Sequence, residues 1–319
     1  MTEYSGLAIA IAWPDFIGKQ SGAWYDTPMR WLGANRNFHY KVGHAALILV
    51  NKETGSCHHF DCGRYHAPYQ YGRIRDATTD DNLAIQTKAR ISGNRICNFQ
   101  EITMEIQNNK ASFGVGKLYA AYCPLNFELA WARVKKMQSV GAIPFGPFVR
   151  NGTNCCRFVR SGILAGLPPK RFRFKLQYLW PFKPMPISNI NCLSGKMTVP
   201  EVSAPADRRK YSTPYTKENV RGTLPEPVKP AGIPPNSQWL SGEVAGSWFS
   251  LEPAEEGFNI TRFSSDGDPE CNGIFKTEKS GFDVNKPFHF THLSHCSKVT
   301  VIQEQDIYEF SRIPGNKDN

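Results

Sequence analysis

The chain carries a helix-start signal at Gly152-Thr153-Asn154-Cys155-Cys156-Arg157-Phe158-Val159. Thr153 and Asn154 are both good N-cap residues, and the apolar residues that follow recur at helical spacing. Cys155 is therefore predicted to lie in the first turn of a short buried helix, where free N–H groups and the positive dipole end stabilise a thiolate. Next to a cationic His, the pKa of such a thiol falls from ~8.5 to between ~3.5 and ~7.5. The stretch favours a nucleophile at Cys155, and the alternative is that two small cysteines simply pack in a core.

The composition is that of a globular protein of about two domains. The 319 residues include 40% hydrophobic and 12% aromatic residues, which excludes fibrous and wholly disordered chains. The formal charge of +10 favours anionic partners, but the basic residues form no single block. No zinc-finger, RNP or basic-helix signature indicates nucleic-acid binding. The nine cysteines show no paired spacing and their number is odd, which indicates a reducing compartment.

No segment predicts a secretion signal or a membrane anchor. The N-terminus lacks a basic stretch, and the apolar residues 7–13 are too few and wrongly flanked for a signal peptide. No run approaches the ~20 apolar residues of a membrane span. We expect a soluble, cytoplasmic protein, with export by a dedicated system left open.

The first 195 residues predict an α+β domain with a mostly antiparallel sheet. Six segments have the alternating or continuous apolar character of strands: residues 7–13, 45–50, 57–62, 83–91, 102–106 and 117–123. Residues 45–50 and 57–62 are predicted to form one β-hairpin, and residues 83–91 and 102–106 a second. Apolar residues at helical spacing in 127–137 predict a second helix besides the one that carries Cys155. Residues 15–40 and 63–76 lack a regular period and are interpreted as loops.

The remainder of the chain divides at a change of composition. Eight prolines interrupt every pattern in residues 196–236, so this segment is predicted to be a semi-rigid linker. From Trp239 onward, short alternating segments are separated by turn residues. The predicted organisation is a domain over 1–195, a linker over 196–236 and a small β module over 237–319.

A thiol nucleophile needs a base within hydrogen-bond reach and a group that orients the base. His44 opens the apolar strand 45–50, and a titratable ring at the head of a buried strand is costly unless it is partnered or used. Across the hairpin, either His59 or Asp61 could lie beside His44. Asp61 is favoured, because a carboxylate on the far nitrogen would fix the tautomer of His44. The competing interpretations are a satisfied core histidine for His44 and a turn-capping acid for Asp61.

These motifs, in this order, resemble the circularly permuted branch of the papain-like NlpC/P60 superfamily, which includes lecithin:retinol acyltransferase-like and YiiX-like proteins. The resemblance rests on Gly43-His44-Ala45-Ala46-Leu47-Ile48 and on Asn154-Cys155-Cys156-Arg157-Phe158-Val159, with His before Cys as in the permuted order. The string Phe60-Asp61-Cys62-Gly63-Arg64-Tyr65 is also similar to an uncharacterised bacterial family, DUF6695. The likeness covers about residues 1–190.

The resemblance implies a permuted papain-like domain and a cysteine hydrolase or acyltransferase that acts on an amide or ester bond. Cys155 would attack the carbonyl, His44 would carry the proton and Asp61 would orient His44. Lecithin:retinol acyltransferase-like members have a second His at the third position, so their lipid acyl transfer is not carried over to a chain with Asp61. The alternative is a catalytically silent papain-like scaffold that binds a protein partner through its C-terminal module. No cofactor is expected.

Arg64 and Tyr65 are candidate substrate-binding residues. Arg forks suit carboxylates and phosphates, although a solvated loop with Arg packed on Tyr fits the sequence equally well. A second group of residues has metal-ligating side chains: His289, His292, His295 and Cys296. Their spacing matches no zinc pattern, so no metal site is predicted. The substrate is left open among peptides, lipids and small molecules.

Overall fold

The computed structural model describes residues 4–20, 22–36, 38–179, 185–201 and 222–314. Its strands are β1 (Gly6–Trp13), β2 (Ile17–Lys19), β3 (Asn35–Arg36), β4 (His39–Lys41), β5 (His44–Asn51), β6 (Cys57–Gly63), β7 (Tyr71–Arg75), β8 (Ile91–Ser92), β9 (Arg95–Ile96), β10 (Leu118–Leu125), β11 (Ile143–Pro144), β12 (Ser194–Val199), β13 (Gln238–Leu240), β14 (Ser247–Ala254), β15 (Gly257–Phe263), β16 (Pro269–Lys276), β17 (His289–Phe290), β18 (Lys298–Gln303) and β19 (Asp306–Arg312). Its helices are α1 (Asp26–Trp31), α2 (Phe99–Asn108), α3 (Phe127–Gln138), α4 (Cys155–Ala165), α5 (Lys170–Phe174) and α6 (Pro186–Cys192). A π-helical turn, Lys175–Leu179, extends α5.

The centre of the N-terminal part is a seven-stranded antiparallel sheet in the order β11-β7-β6-β5-β1-β10-β12. All eight residues of β1 are buried, because helices cover both faces of the sheet. Apolar residues of α3, α4 and α6 pack on one face and those of α2 on the other. The α+β class and the mostly antiparallel sheet predicted from the sequence are therefore confirmed.

Helix α4 packs closely on strand β5 at Gly162. A Cβ atom added at Gly162 would lie 2.6 Å from Leu47 Cδ2, and Leu47 is fully buried. Glycine removes this clash and lets the two backbones approach. The approach brings the first turn of α4 to the first residues of β5.

Three local predictions are wrong. Residues 102–106 belong to α2, in which Ile102 and Ile106 are buried four positions apart while Met104 is half-exposed. The hairpin predicted from residues 83–91 and 102–106 is consequently not formed. Residues 15–40 contain α1 and a three-stranded sheet in the order β2-β4-β3, and residues 63–76 contain β7, which pairs with β6.

The end of the N-terminal sheet lies later than the change of composition suggests. Strand β12 pairs with β10 and runs to Val199, so residue 195 falls inside a strand of this sheet. Residues 202–221 of the proposed linker lie outside the described residues. No helix within the described ranges is long and apolar enough to cross a bilayer.

The C-terminal part is all-β, as predicted. Its seven strands form one antiparallel sheet in the order β13-β14-β15-β16-β19-β18-β17. The side chain of Gln238 donates to the carbonyl of Phe288 and accepts from the N–H of Phe290, which links the first strand of the sheet to its last. The sheet therefore curls into a near-barrel around buried aromatic side chains, including Phe249 and Phe310.

Buried charged residues join the two parts of the molecule. Asp80 Oδ1 accepts hydrogen bonds from Arg73 at 2.8 Å and from Arg262 of the C-terminal module at 2.9 Å. Glu243, which is fully buried, accepts from Arg64 at 2.5 Å and from the backbone N–H of Gln70 at 2.7 Å. Asp80 and Glu243 thus each have a partner of opposite sign across the interface.

Candidate active site

Helix α4 begins at Cys155, as its sequence predicts. Asn154 has an extended backbone, and its side-chain Oδ1 accepts a hydrogen bond from the N–H of Arg157 at 2.9 Å. This cap satisfies one free N–H of the first turn and leaves the positive dipole end beside the Cys155 thiol. The local sequence therefore supplies both the position and the electrostatic setting of this cysteine.

The ring of His44 is fixed by its neighbours at the head of β5. Gly43 has φ +70°, and a Cβ there would lie 2.8 Å from the ring of Pro186, so the chain enters the strand through a turn that favours glycine. Trp13 stacks on the imidazole with centroids 5.7 Å apart and planes 15° apart. Phe16 packs at the same centroid distance. The imidazole consequently has little freedom to rotate.

His44 lies between a thiol and a carboxylate. Its Nε2 is 3.6 Å from Asp61 Oδ2, an ion-pair distance somewhat longer than a hydrogen bond. The same ring interacts with the Cys155 thiol, which also lies beside the backbone of Ala45. The fold thus brings together the three residues that the sequence analysis proposed as a catalytic group.

The carboxylate of Asp61 is held by two side chains besides His44. Arg75 donates to both of its oxygens, at 3.0 Å to Oδ1 and 2.6 Å to Oδ2. The hydroxyl of Tyr65 donates to Oδ2 at 2.7 Å, and the Arg75 guanidinium lies 3.6 Å from the centroid of the Tyr65 ring. This bidentate grip fixes the direction in which Asp61 faces His44.

The charges of the site favour a thiolate and an imidazolium. Burial alone would lower the pKa of His44, but its interactions with Asp61 and Cys155 raise that pKa to about 9. The neighbouring Cys156 thiol lowers the pKa of Cys155, and His44 lowers it further. Together they outweigh burial, so this pKa lies well below its usual range. Burial opposes ionisation of Asp61, yet Arg75 and His44 keep the pKa of this carboxyl below its ordinary value. These shifts in opposite directions favour the ionised form of the pair.

The two adjacent cysteines have different environments. Cys156 is 3% exposed and packs in the core, whereas Cys155 is partly exposed at the cleft. Their sulfurs are 3.7 Å apart, and burial followed by the neighbouring Cys155 raises the pKa of Cys156. A protonated Cys156 can donate its S–H to a Cys155 thiolate. This arrangement agrees with the choice of Cys155 as the reactive thiol.

His59 lies too far along β6 to replace Asp61. In the ladder between β5 and β6, His59 pairs with Ile48, whereas Asp61 pairs with Ala46, two residues from His44. His59 is buried, and burial lowers its pKa to about 4. Neither ring nitrogen has a hydrogen-bond partner in the part of the chain that the structure describes. The geometry therefore favours Asp61 as the third member.

Cys155 opens onto a cleft of about 350 Å³ with mainly apolar walls. The strands β2 and β4 and helix α1 form one wall, and the segment 145–148 forms the other. The residues that line the cleft are Lys19, Tyr25, Met29, Ala34, Tyr40, Lys41, Val42, Gly43, Arg64, Phe145, Gly146, Pro147, Phe148, Asn154, Cys155, Cys156 and Met185. Residues 15–40 therefore shape the cleft and do not fill it.

The two predicted substrate-binding residues have different surroundings. Arg64 lies on the cleft wall, but its guanidinium donates to Glu243 and to the carbonyl of Lys19, both at 2.5 Å. Tyr65 is 5% exposed and donates its hydroxyl to Asp61, so it supports the site from behind. The geometry thus gives Tyr65 a positioning contact in place of the expected contact with substrate.

Sequence reasoning did not identify Arg75, Trp13 or Glu243 as parts of the site. Arg75 pairs with Asp61 in the β6–β7 ladder, so a hairpin prediction for residues 57–75 could have found it. Trp13 pairs with His44 in the same way between β1 and β5. Glu243 reaches Arg64 from the C-terminal module, and no local pattern in the sequence signals that contact.

Two family models match separate parts of the chain. The family model described as type VI secretion system effector TseH-like matches residues 8–172, and the model of the DUF6695 C-terminal domain matches residues 237–313. The crystal structure of the type VI secretion system effector TseH is similar at 16% identity and a TM-score of 0.40, over 63% of this chain and 95% of that one. No curated protein matches. The DUF6695 resemblance is supported, although the match lies in the C-terminal module and not at residues 60–65.

Proposed function

Because the chain belongs to the type VI secretion system effector TseH-like family, we propose that it is a secreted effector with cysteine hydrolase or acyltransferase activity on an amide or ester bond. The observation that carries the proposal is the group formed by Cys155, which lines an open cleft, with the buried His44 and Asp61. Secretion agrees with the export by a dedicated system that the sequence analysis left open. It replaces the expectation of a cytoplasmic protein.

The first chemical step is attack by the Cys155 thiolate on the carbonyl carbon of the substrate. The electron pair of the carbonyl moves to its oxygen, and the backbone N–H of Cys155 at the helix start supplies part of the oxyanion hole. The helix dipole favours negative charge at this point. Cys156 and His44 lower the pKa of Cys155, which favours the thiolate that this step requires.

The second step is collapse of the tetrahedral intermediate. The His44 imidazolium gives its proton to the leaving amine or alcohol, and a thioester to Cys155 remains. Water, or an acceptor hydroxyl or amine in the case of acyl transfer, then attacks the thioester while neutral His44 takes its proton. Asp61 keeps the ring oriented and stabilises the imidazolium in each half-reaction.

The order of the residues and their elements supports a permuted papain-like arrangement. The base is the first residue of a strand, the nucleophile begins a later helix, and the carboxylate comes from the neighbouring strand. An active enzyme is favoured over a silent scaffold because neither the aromatic segment 15–40 nor the C-terminal module fills the cleft beside Cys155. A binding protein would not need a thiol with a lowered pKa at that position.

A covalent intermediate is the most direct test of this proposal. The full chain is incubated with p-nitrophenyl esters of different acyl lengths and with peptide anilides, and intact-mass measurement follows. We expect a burst of product and an acyl adduct that maps to Cys155, lost in Cys155→Ala and retained in Cys156→Ala. Turnover that survives Cys155→Ala, or an adduct on Cys156, would contradict the assignment.

A further inference from the structure

The positive charge of the chain is concentrated in one segment. Residues 129–200 contain twelve Lys and Arg and neither Asp nor Glu. The other 26 Lys and Arg are outnumbered by 28 Asp and Glu, so the rest of the chain has a net charge of −2. Although the bases are not consecutive, the whole excess of +10 originates in this segment. The segment includes α4, α5 and α6, which flank the candidate active site.

Part of this segment forms an exposed surface that is both basic and apolar. Helix α5 and the π-helical turn that extends it are anchored by Phe172 and Leu176, which are buried and four positions apart. The outward side chains, here called the basic–aromatic surface, are Lys170, Arg171, Phe174, Lys175, Tyr178 and Leu179. Phe174, Tyr178 and Leu179 are 59%, 63% and 55% exposed.

The cations of this surface are not neutralised by acids. Within the described ranges, no carboxylate lies within ion-pair distance of Lys170, Arg171 or Lys175. Arg160 and Lys196 lie near Lys175, since all three charges act on the Cys192 thiol. The surface therefore presents several positive charges around a group of exposed rings and a leucine, and exposure of such large apolar side chains indicates a partner.

We propose that the basic–aromatic surface docks on an anionic lipid membrane. A helical segment with Lys and Arg beside Phe, Tyr and Leu is the arrangement by which proteins lie in the headgroup region. The apolar side chains enter the boundary of the acyl chains, and the cations face lipid phosphates. The charge complementarity and the exposed apolar side chains together favour this occupant.

A nucleic acid would satisfy only half of this surface. Phosphates would pair with the cations, but Phe174 and Leu179 would gain nothing from a phosphate backbone, and Leu179 offers no ring for base stacking. A bilayer surface accommodates both kinds of side chain. The observations therefore favour a membrane over DNA or RNA.

The surface is placed next to the cleft. Met185, half-exposed at the N-terminus of α6, also lines the cleft that contains Cys155. Helix α6 packs against the π-helical turn that carries Tyr178 and Leu179. A protein docked through this surface would hold the cleft mouth close to the membrane. The docking itself does not depend on the proposed catalysis, because none of the six residues belongs to the catalytic group.

Binding to vesicles tests the proposal directly. The full chain is sedimented with vesicles of phosphatidylglycerol and phosphatidylcholine in equal parts, and with pure phosphatidylcholine vesicles. We expect binding to the anionic vesicles that weakens as salt is raised. The triple variant K170Q/R171Q/K175Q should bind on the order of 100-fold more weakly, since each base near an anionic surface contributes about fivefold to the affinity. Part of the binding of the wild type should remain at high salt, because it depends on the apolar side chains. F174S/Y178S/L179S should lose this salt-resistant part.

A matched variant separates docking from net charge. K276Q/K279Q/K286Q removes the same charge from the C-terminal module, where each lysine faces an acid, and it should bind vesicles like the wild type. Far-UV circular dichroism of all variants establishes that they are folded. Equal loss in both charge variants, equal binding to neutral vesicles, or no vesicle binding would overturn the proposal. So would a preference for duplex DNA or RNA over vesicles, or a dimer in gel filtration that the surface variants abolish.

Discussion

At the scale of single residues, the Asp61 carboxylate is the best-fixed group of the candidate site. Its two oxygens accept three hydrogen bonds from Arg75 and Tyr65, and it is fully buried. A buried carboxylate is tolerated only with such partners. The same partners determine where Asp61 points, so the orientation of His44 depends on the buried residues Arg75 and Tyr65.

Tyr65→Phe separates a positioning role from a substrate contact. Loss of the hydroxyl removes one bond to Asp61 while the bidentate Arg75 contact remains. We expect kcat to fall by up to about tenfold with KM unchanged, because a bond to a charged group contributes about 1.5–3 kcal/mol and part of it is retained by Arg75. Steady-state kinetics measures the split, with Tyr71→Phe on β7 as the control. A raised KM with normal kcat would restore Tyr65 as a substrate-binding residue.

The pH dependence of turnover follows from the same group. The pKa of His44 is raised to about 9, so its imidazolium persists through neutral pH and is lost as the pH rises through that value. The pKa of Cys155 is lowered by Cys156 and by His44, so its thiolate persists to lower pH than that of an ordinary thiol. We expect kcat/KM to be constant around neutral pH and to fall above about pH 9. An alkaline limb near 6.5, the ordinary value for histidine, would contradict the coupling of His44 to Asp61 and Cys155.

At the scale of the elements, the site depends on how closely α4 approaches β5. Gly162 is the residue that permits this approach. Gly162→Ala should gain about 1 kcal/mol of helix propensity. The free energy of unfolding should nevertheless fall by about 1–3 kcal/mol net, because the new methyl group meets the buried Leu47. Urea unfolding, with Ser161→Ala in the same helix as control, measures the balance. A more stable Gly162→Ala would show that the contact relaxes without cost.

Sequence patterns predicted the helices and strands whose apolar residues are regularly spaced. Strand β1 and helix α4 were found because their apolar spacing is regular, and the cap at Asn154 marked where the helix begins. Strict alternation failed at 102–106, because over five residues two buried positions four apart fit a strand and a helix equally well. The three-stranded sheet of β2, β3 and β4 consists of strands too short to show any period.

Local sequence patterns could not identify the side chains that support the site from other strands. Cys155, His44 and Asp61 could be proposed because each begins or lies within a recognisable element. Arg75 and Trp13 act through strand pairing, so their roles require the register of the sheet. Glu243 comes from a different sheet altogether, and only the three-dimensional structure brings it to Arg64.

At the scale of the whole molecule, we propose that the chain consists of an N-terminal catalytic domain and a separate C-terminal module, each with its own sheet. Their interface is held by buried charges. Arg262 bridges Asp80 of the first part, at 2.9 Å, and Glu270 of its own module, at 2.7 Å. Glu243 fixes Arg64 on the cleft wall, so the module also contributes to the shape of the cleft.

Arg262→Met tests whether these buried charges hold the two parts of the molecule together. The change leaves buried Asp80 with fewer positive partners, so the free energy of unfolding should fall by about 3–5 kcal/mol. Lys298→Met removes a cation from an exposed pair with Glu309 and should cost less than about 1 kcal/mol. Thermal and urea unfolding of both variants give the comparison. Equal, small losses in both would show that the interface charges do not hold the module in place.

The central claim is that His44 activates Cys155 as a thiolate, and thiol alkylation measures it most directly. The rate of iodoacetamide reaction at Cys155 is followed from pH 5 to 9 by peptide mapping, with the exposed Cys97 as an internal reference for reagent access. In the wild type we predict rapid labelling of Cys155 that is nearly independent of pH around neutrality, and in His44→Ala a loss of at least about tenfold at the acidic end of that range. Labelling of Cys155 that is equally fast in both proteins, or faster labelling of Cys156, would contradict the claim.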